Sequence, residues 1–418
     1  MTPKEKIKEV ISLSLPEKLK NGFDVRFWDG EIWKPAGVEK TGFTLVLNSP
    51  GALKNIILPP TELNVTEAYF FDEFELEGDL FNVFESAYEI AGTKRTSGKN
   101  LQLLGKIAAL PSSPKKKDKN FTKKLSGQMH SLERDSEAVS YHYDMSNELY
   151  SQWLDPQMVY SCARFATEET SLEDAQIDKL DYICRKLDLK PGETLLDCGC
   201  GWGALVIYAA QNYGVTALGV TLSKNQADWA NKRILDLGIG DKCRVELKDV
   251  RSIKDTKFDK ISSVEMLHHI GYNSLPEYFQ TIKDLLKPGG LSFQLGVTNN
   301  AAKGEYKGPV FAPKYFMPDY DLSPIGEYLK IAEKAGFEVY DVEDFRQHYE
   351  LTARHWLNNI EKNRQAIVQI SGGVMYRVYR LSMALMAYGF HSNLINLYHF
   401  VLRNTEGKGN YPPLKRWY

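Results

Sequence analysis

Between residues 177 and 345, short apolar runs alternate with longer stretches of helix-forming residues. The pattern predicts strands at 194–196, 215–220, 243–247, 259–266 and 291–297, and helices at 204–211, 224–237 and 275–286. Strands and helices in alternation are typical of an α/β fold with a parallel, doubly wound sheet. Such a sheet binds its ligands at the carboxyl ends of its strands.

Composition divides the chain into three segments, 1–110, 111–127 and 128–418. The first segment combines strand-like pieces with a tail of helix formers, which predicts a separate small α+β domain. Its predicted strands are 24–28, 43–47 and 56–58, and its predicted helix is 80–91. The third segment holds the alternating pattern and ends in a stretch, 351–402, whose apolar spacing predicts amphipathic helices.

The middle segment is basic. Residues 111–124 read PSSPKKKDKNFTKK, a composition of prolines, serines and six lysines that is typical of a linker. Two interpretations are open for the lysines of this segment, Lys115, Lys116 and Lys117: they form part of a solvated tether, or they contact anionic phospholipid headgroups. Each lysine near such a surface contributes about 1 kcal/mol.

Charge and cysteine content exclude several classes of function. A formal net charge of -2 gives no general attraction to nucleic acid. The five cysteines are odd in number and the amino terminus does not resemble a secretory signal, so a reducing cytoplasm is expected. No metal site is predicted, since Cys198 and Cys200 have no second pair or histidine cluster nearby. No uncharged apolar stretch approaches the roughly 20 residues of a membrane span, so membrane contact is predicted to be peripheral.

The segment LLDCGCGWG at 195–203 is the clearest local signal in the chain. Gly199, Gly201 and Gly203 permit positive φ and let a ligand approach the backbone. Asp197 at the end of the predicted strand can accept a hydrogen bond from an ammonium or hydroxyl group. An ordinary strand-to-helix turn would use the same residue types, so the neighbouring segments must decide.

Six motifs spread over about residues 128–405 resemble those of one family. They are YHYDMSNELYSQWLDPQMVYSCARF, LLDCGCGWG, GVTLSKNQADWA, LKPGG, HYELTARHW and GFHSNLINLYHFVLR. On these motifs the chain resembles the S-adenosylmethionine-dependent methyltransferases, and among them the cyclopropane fatty acid synthases. The resemblance implies a class I, Rossmann-like doubly wound sheet with added helices. In family members of this length the amino-terminal domain resembles a sterol-carrier or lipid-binding fold, which 1–110 matches more weakly.

The resemblance also implies a binding site for S-adenosylmethionine. One pair of residues matches those that reach the methionine end, a second group follows the second predicted strand, and a third pair follows the third strand in position to meet adenine. With the glycine loop, the predicted cofactor site comprises Tyr160, Ser161, Asp197, Gly199, Gly201, Gly203, Thr221, Ser223, Gln226, Asp249 and Val250. A single hydroxyl residue is often a turn or cap residue, but the joint arrangement favours cofactor binding.

The methyl carbon of a sulfonium is electrophilic, so an isolated cis double bond suffices as its acceptor. Methyl addition leaves a carbocation, which requires a dry pocket lined by apolar and aromatic groups. Candidate lining residues are Tyr315, Phe316, Tyr320 and Trp356. In the family a bicarbonate ion then removes a proton, held by a glutamate, a histidine, a tyrosine and the backbone at the cysteine of the YSC motif.

The chain both matches and departs from that pattern. Cys162 and Tyr349 match the cysteine and the tyrosine. The usual Phe-Glu-His-Val-Gly segment reads LHHIG at 267–271, which places His268 at the position of the glutamate. Gln294 stands where the family carries the histidine. Bicarbonate is therefore in doubt as a component of the reaction.

Three consequences follow for position 268. In the first alternative neutral His268, with an unperturbed pKa near 6.5, accepts the proton itself. In the second, protonated His268 binds bicarbonate by charge pairing. In the third alternative the base lies elsewhere and the product has no ring. Glu265 is a further candidate carboxylate, or alternatively a polar strand end. Covalent catalysis by Cys162 is not expected, and Met386 stands where some family members carry a cysteine.

The expected activity is transfer of a methyl group from S-adenosylmethionine to the double bond of an unsaturated phospholipid acyl chain, giving a cyclopropane. One alternative is the same methylation with a methylene or methyl-branched product. A small-molecule amine or oxygen methyltransferase is disfavoured by the YSC and HYELT segments, and a non-catalytic lipid-binding protein by the intact cofactor loop. The expected location is the cytoplasm, peripheral at the inner membrane surface; a homodimer is compatible with the sequence.

Overall fold

The computed structural model describes residues 1–16, 18–38, 40–94, 96–114, 127, 131, 133–135, 137–138, 145–304, 306, 308–405 and 418. Two compact units make up the chain. The first comprises the described parts of Met1–Thr122, with Pro309–Phe311 and Ser371–Ala384; the second comprises those of Lys123–Gly308, Ala312–Ile370 and Leu385–Tyr418. The predicted linker lysines at 115–117 lie outside the described residues, so their role stays a prediction.

The first unit is an α+β structure, as the sequence predicts. Its elements are α1 (Pro3–Ser14), β1 (Gly22–Arg26), β2 (Ile32–Trp33), β3 (Thr41–Leu47), α2 (Ala52–Ile57), α3 (Glu62–Phe70), β4 (Phe74–Gly78), α4 (Leu80–Ala91) and α5 (Ser97–Ala108). The sheet has the order β2-β1-β3-β4, and β1 and β3 are parallel.

One predicted strand of this unit, 56–58, is wrong. Ile56 belongs to helix α2, where it is buried together with Leu53 three residues earlier. A short apolar run fits a buried helix as well as a strand, and here the helical spacing decides. The Asn64 side chain donates hydrogen bonds of 2.8 Å to the carbonyls of Asn55 and Ile56, near the end of this helix.

The second unit is built on a seven-stranded sheet. Its strands are β5 (Thr194–Cys198), β6 (Thr216–Thr221), β7 (Cys243–Leu247), β8 (Phe258–Val264), β9 (Leu286–Asn299), β10 (Phe337–Asp344) and β11 (Ile395–Asn404). Its helices are α6 (Asn147–Ser151), α7 (Leu172–Lys186), α8 (Ala204–Tyr213), α9 (Lys224–Asp236), α10 (Leu267–Ile270), α11 (Leu275–Leu285), α12 (Ala312–Tyr315), α13 (Ile325–Lys334), α14 (Arg346–Lys362) and α15 (Arg364–His391).

The strand order is β10-β11-β9-β8-β5-β6-β7. Strands β5 to β9 pair in parallel, whereas β11 is antiparallel to both β9 and β10. The predicted α/β, doubly wound class is confirmed, but the sheet is mixed rather than wholly parallel. The chain order reverses at β5, so the carboxyl ends of β5, β6 and β8 meet at a topological switch point where ligands bind in such sheets.

The carboxyl-terminal part of the chain is not helical throughout, and the prediction of helices over 351–402 is wrong at its end. Helices α14 and α15 extend to His391, with a kink at Gly372 (φ +83°), and strand β11 follows. Residues 395–402 are rich in β-branched and aromatic side chains, strands pair with both edges of β11, and most of β11 is buried, with helix α14 packed against it. Among the described helices, none is long and apolar enough to cross a membrane.

Arg377 of helix α15 is a buried cation within the first unit. Its guanidinium lies 2.5 Å from Asp72 and 3.0 Å from Glu75. It also donates to the backbone carbonyls of Tyr69 at 3.3 Å and Phe74 at 3.2 Å. The amino-terminal unit therefore depends on a helix segment that is about 300 residues away in sequence.

Replacing Arg377 with alanine is expected to destabilise the first unit by about 2–3 kcal/mol, because the largely buried Glu75 carboxylate loses a cation and two backbone carbonyls lose a donor, while the exposed Asp72 contributes little. Calorimetric unfolding of the full chain measures the change. The matched control is Lys20→Ala, which removes an exposed 3.9 Å pair with Glu85 and should cost less than about 0.5 kcal/mol. Equal effects of the two variants would contradict the structural role of Arg377.

Candidate functional site

The glycine loop follows strand β5 directly. Gly199, Gly201 and Gly203 have φ of +71°, +54° and +81°, a conformation that favours glycine. An added methyl group at Gly201 would meet no atom within 4 Å, so the backbone there faces open space. At Gly203 it would lie 3.0 Å from the Ala230 methyl group, so this glycine serves helix packing. An added methyl group at Gly199 would lie 2.8 Å from the Met266 sulfur, so the loop is open at Gly201 and packs tightly at Gly199 and Gly203.

A cavity of about 200 Å³ opens beside this loop. All predicted cofactor residues line it except Gly203 and Ser223. Ser223 instead caps helix α9, where its hydroxyl accepts a hydrogen bond of 3.2 Å from the amide of Gln226. The Gln226 side chain in turn accepts from the Thr221 hydroxyl at 2.7 Å. The ends of β5, β6 and β7 therefore contribute to one cavity, as the sheet topology requires.

Asp197 is buried at the carboxyl end of β5 and lines the cavity. Its carboxylate accepts a hydrogen bond of 2.7 Å from the Ser262 hydroxyl on β8. Burial raises the pKa of Asp197 to about 7, against the hydrogen bond from Ser262 and the charge of Lys179. A buried carboxylate at a cavity wall fits the ammonium group of an amino acid such as the methionine part of S-adenosylmethionine.

Lys179 is a buried cation that the sequence analysis missed. It lines the cavity and donates a hydrogen bond of 2.8 Å to the Ser161 hydroxyl. Burial lowers its pKa, while the charges of Glu265, Asp155, Cys162 and Asp197 oppose that change. Its position in helix α7 was a signal, since it lies four residues after Ala175 and four before Ile183 on the apolar face.

Glu265 lies directly after strand β8 and lines the same cavity. One carboxylate oxygen accepts a hydrogen bond of 2.7 Å from the backbone amide of Cys162, and the other accepts from the Tyr349 hydroxyl at 2.5 Å. Burial raises the pKa of Glu265 to about 7, although both hydrogen bonds and the charge of Lys179 favour the ionised form. Its backbone has φ +58°, the left-handed region that residues other than glycine seldom adopt.

One face of helix α14 holds the segment that contains the YSC motif. The His348 ring accepts from the amide of Phe165 at 3.1 Å, and the Thr352 hydroxyl accepts from the amide of Ala163 at 3.0 Å. Four residues further along, the Trp356 ring lies 5.2 Å from that of Tyr160. The spacing of 348, 352 and 356 places these side chains on one side of the helix. The HYELTARHW and YSC motifs are therefore in direct contact in the folded chain.

The residues predicted to supply the base do not all meet at the cavity. His268 is buried at the start of α10 and is not among the cavity-lining residues, whereas Glu265 and His269 are. Gln294 is fully buried and also outside the lining; its amide group donates to Ser292 and accepts from Tyr278, both at 2.9 Å. Cys162 and Tyr349 are also outside the lining, but both are hydrogen-bonded to Glu265, which belongs to it.

Cys162 contributes its backbone and not its thiol. The side chain is fully buried, and burial raises the pKa of the thiol well above its ordinary value. A protonated, enclosed thiol is a poor nucleophile. Three of the four predicted aromatic lining residues do not belong to the cavity wall: Tyr315, Phe316 and Tyr320. The fourth, Trp356, contacts the ring of Tyr160, and Tyr160 does belong to the wall.

Asp197→Asn is expected to weaken binding of S-adenosylhomocysteine by at least about tenfold, since an amide does not neutralise an ammonium group. Without ligand, the free energy of unfolding of the variant at pH 8 should exceed that of the parent protein by on the order of 2 kcal/mol. In the folded protein Asp197 has its pKa raised from 3.8 to about 7, so its contribution to stability falls as pH rises through that range.

Calorimetry measures both quantities, with the exposed Asp236→Asn as control. Unchanged affinity in Asp197→Asn would contradict the assignment of Asp197 to the amino-acid end of the cofactor.

Comparison with known proteins agrees with this geometry. Residues 130–400 match the family described as mycolic acid cyclopropane synthetase, and 10–99 match a domain family of unknown function. A probable fatty acid methyltransferase of Mycobacterium tuberculosis is 33% identical over 394 residues, 92% of either chain. A sphingolipid C9-methyltransferase of Candida albicans is 30% identical over 365 residues, 84% of this chain and 68% of the relative.

Solved structures show the same relationship. A mycolic acid cyclopropane synthase complexed with SAH and CTAB is 29% identical, with a TM-score of 0.61. The match covers 64% of this chain and 98% of that synthase. The chain therefore belongs to the mycolic acid cyclopropane synthetase family, and it is an S-adenosylmethionine-dependent methyltransferase with a class I fold.

Proposed function

We propose that this methyltransferase acts on the cis double bond of an unsaturated acyl chain in a membrane phospholipid and that the product is a cyclopropane acyl chain. The observation that carries the proposal is a cluster of aromatic rings beside the cofactor cavity. The aromatic cluster comprises Tyr150, Trp153, Tyr160, Trp202, Tyr349 and Trp356.

Tyr160 is the centre of the aromatic cluster. Its ring centroid lies 5.0 Å from Trp153, 5.2 Å from Trp356 and 5.7 Å from Tyr150. Tyr160 and Trp202 line the cavity, while Trp153 and Trp356 are almost fully buried behind Tyr160. This side of the cavity is therefore built of aromatic rings, and the rings behind Tyr160 are closed to solvent.

Such a wall suits alkene methylation. S-adenosylmethionine supplies an electrophilic methyl carbon, and an alkene that takes it develops a positive charge on its second carbon. Aromatic faces stabilise a cation by about 0.5–2 kcal/mol each, most strongly where water is excluded. Water at that carbon would trap the cation as an alcohol, so a dry wall also protects the product.

The acyl substrate is supported by the relatives' names, which describe fatty acid and sphingolipid methyltransferases. Those names also favour a second candidate product, an open chain that bears a methylene or methyl branch. Both products begin with the same methyl addition, so the aromatic cluster supports either. The difference lies in which bond is formed as the cation loses its proton.

The purified protein is expected to form S-adenosylhomocysteine with vesicles of cis-unsaturated phospholipid and not with saturated vesicles. With a trideuteriomethyl donor, a cyclopropane or methylene product retains two deuterium atoms, because one is lost from the transferred methyl group. A methyl-branched alkene retains all three. Mass spectrometry gives the label count, and gas chromatography of the methyl esters separates a ring from a methylene group. Turnover on saturated lipid equal to that on unsaturated lipid would contradict the proposal.

Variants at Tyr160 test the aromatic cluster. Tyr160→Leu is expected to lower kcat by about 10-fold, because a π face next to the cation is lost, whereas Tyr160→Phe should stay within about 3-fold of the parent protein. Calorimetric affinity for S-adenosylhomocysteine separates this effect from cofactor binding. Similar kcat values for the leucine and phenylalanine variants would contradict cation stabilisation by this ring.

A further inference from the structure

We propose that the carboxylate of Glu265 is the general base of this enzyme and occupies the place that a bicarbonate ion holds in the family. The inference rests on the proposed alkene methylation and identifies the group that removes the proton. It also predicts that this enzyme works without bicarbonate. Glu265 engages two hydrogen-bond donors, the amide of Cys162 and the hydroxyl of Tyr349.

Bicarbonate does not fit the donors that the sequence matches to it. The family pattern places that ion on the backbone at the YSC cysteine and on the tyrosine of the HYELT motif. Here the amide of Cys162 and the hydroxyl of Tyr349 each donate to one oxygen of the Glu265 carboxylate, at 2.7 Å and 2.5 Å. Both hydrogens are therefore directed at a side chain of the protein itself.

A carboxylate is a close chemical substitute for bicarbonate, because both are planar anions with an O–C–O unit that accepts hydrogen bonds at each oxygen. A second anion beside Glu265 would also face its like charge in surroundings of low dielectric constant. Lys179 is the buried cation whose charge acts on Glu265, and it acts on Asp197 as well. The donors and the charge balance thus favour one anion, which the chain supplies.

The backbone at residue 265 supports the same conclusion. A φ of +58° is strained for glutamate, and such strain persists where surrounding structure enforces it, often at functional sites. The amide of Glu265 donates to the carbonyl of Leu295 at 2.8 Å, which holds this conformation at the end of β8. The turn directs the side chain of Glu265 toward Cys162 and Tyr349, while His268 three residues later lies outside the cavity lining.

The proposed reaction moves three electron pairs and one proton. The alkene π pair forms the new carbon–carbon bond to the methyl group, and the broken carbon–sulfur bond leaves its pair on sulfur. Glu265 accepts a proton from the transferred methyl group. The released carbon–hydrogen pair closes the ring onto the cationic carbon, and the protonated carboxyl later passes its proton to solvent. No oxidant or reductant is needed.

Protonation of Glu265 sets an expected pH dependence. The groups that act on it are the Tyr349 hydroxyl, the Cys162 amide and the charge of Lys179, all of which favour its ionised form. Burial has the larger effect and raises the pKa of Glu265, so the base is ionised above neutral pH and protonated below it. We therefore expect kcat to fall as pH decreases below about 7.

The main test compares Glu265→Gln with His268→Gln and with the exposed Glu333→Gln as control. Glu265→Gln is expected to lower product formation by about 10²–10⁴-fold while affinity for S-adenosylhomocysteine changes less than about 3-fold. Glu333→Gln should resemble the parent protein. Loss of activity in His268→Gln with activity retained in Glu265→Gln would overturn the proposal.

Glu265→Gly provides a rescue test in a variant that should fold, because glycine adopts φ +58° without strain. Removing the side chain frees both donors, so added bicarbonate or formate should restore activity by at least about 10-fold. The parent protein should be equally active in buffer purged of carbon dioxide. A separate readout is the NMR line width of ¹³C-bicarbonate, which should broaden with Glu265→Gly and not with the parent protein.

These outcomes separate the two proposals. A parent protein that methylates no unsaturated lipid refutes the proposed function. A parent protein that is active, needs bicarbonate and broadens its ¹³C signal refutes only the role of Glu265. Activity without bicarbonate, together with loss in Glu265→Gln and rescue of Glu265→Gly, supports both.

Discussion

The burial of three ionisable groups around one cavity is the constraint on which the rest of the second unit depends. Burial disfavours the charged form of each of the three groups, which are Asp197, Lys179 and Glu265. Each is held by partners on other elements: Asp197 by a hydroxyl on β8, Lys179 by Ser161, and Glu265 by the amide of Cys162 and the hydroxyl of Tyr349. Because unpaired buried charges are costly, these elements must keep their relative positions for the fold to persist.

The same contacts stabilise the fold and position the groups that surround the cavity. Helix α14 holds the YSC segment by hydrogen bonds at His348 and Thr352, and that segment brings Tyr160 to the cavity wall and the Cys162 amide to Glu265. Aromatic packing around Tyr160 encloses the rings of Trp153 and Trp356, and such apolar surroundings raise the cost of burying charge nearby. The Glu265 carboxylate is held by fixed donors of the protein, the Cys162 amide and the Tyr349 hydroxyl.

Much of the architecture was predictable because it depends on local pattern. The alternating runs predict the positions of strands β5 to β9, and the predicted strand 243–247 has the same bounds as β7 in the structure. Strand β11 was missed because a stretch of apolar and aromatic residues after two helices has no clear period, and only its two neighbouring strands make it a strand. The role of segment 371–384 in the first unit depends on contacts across about 300 residues, which no local pattern reveals.

The sequence by itself determined the class of fold and the glycine loop, and its resemblance to the family indicated nine residues that line the cavity, because short motifs carry these features. Tertiary structure decided which carboxylate and which lysine enter that cavity. Glu265 and His268 are three residues apart, and alignment by motif favoured His268; a left-handed turn at the end of β8 directs Glu265 to Cys162 and Tyr349. Side-chain direction depends on backbone dihedrals and on distant donors, and neither is written in the order of residues.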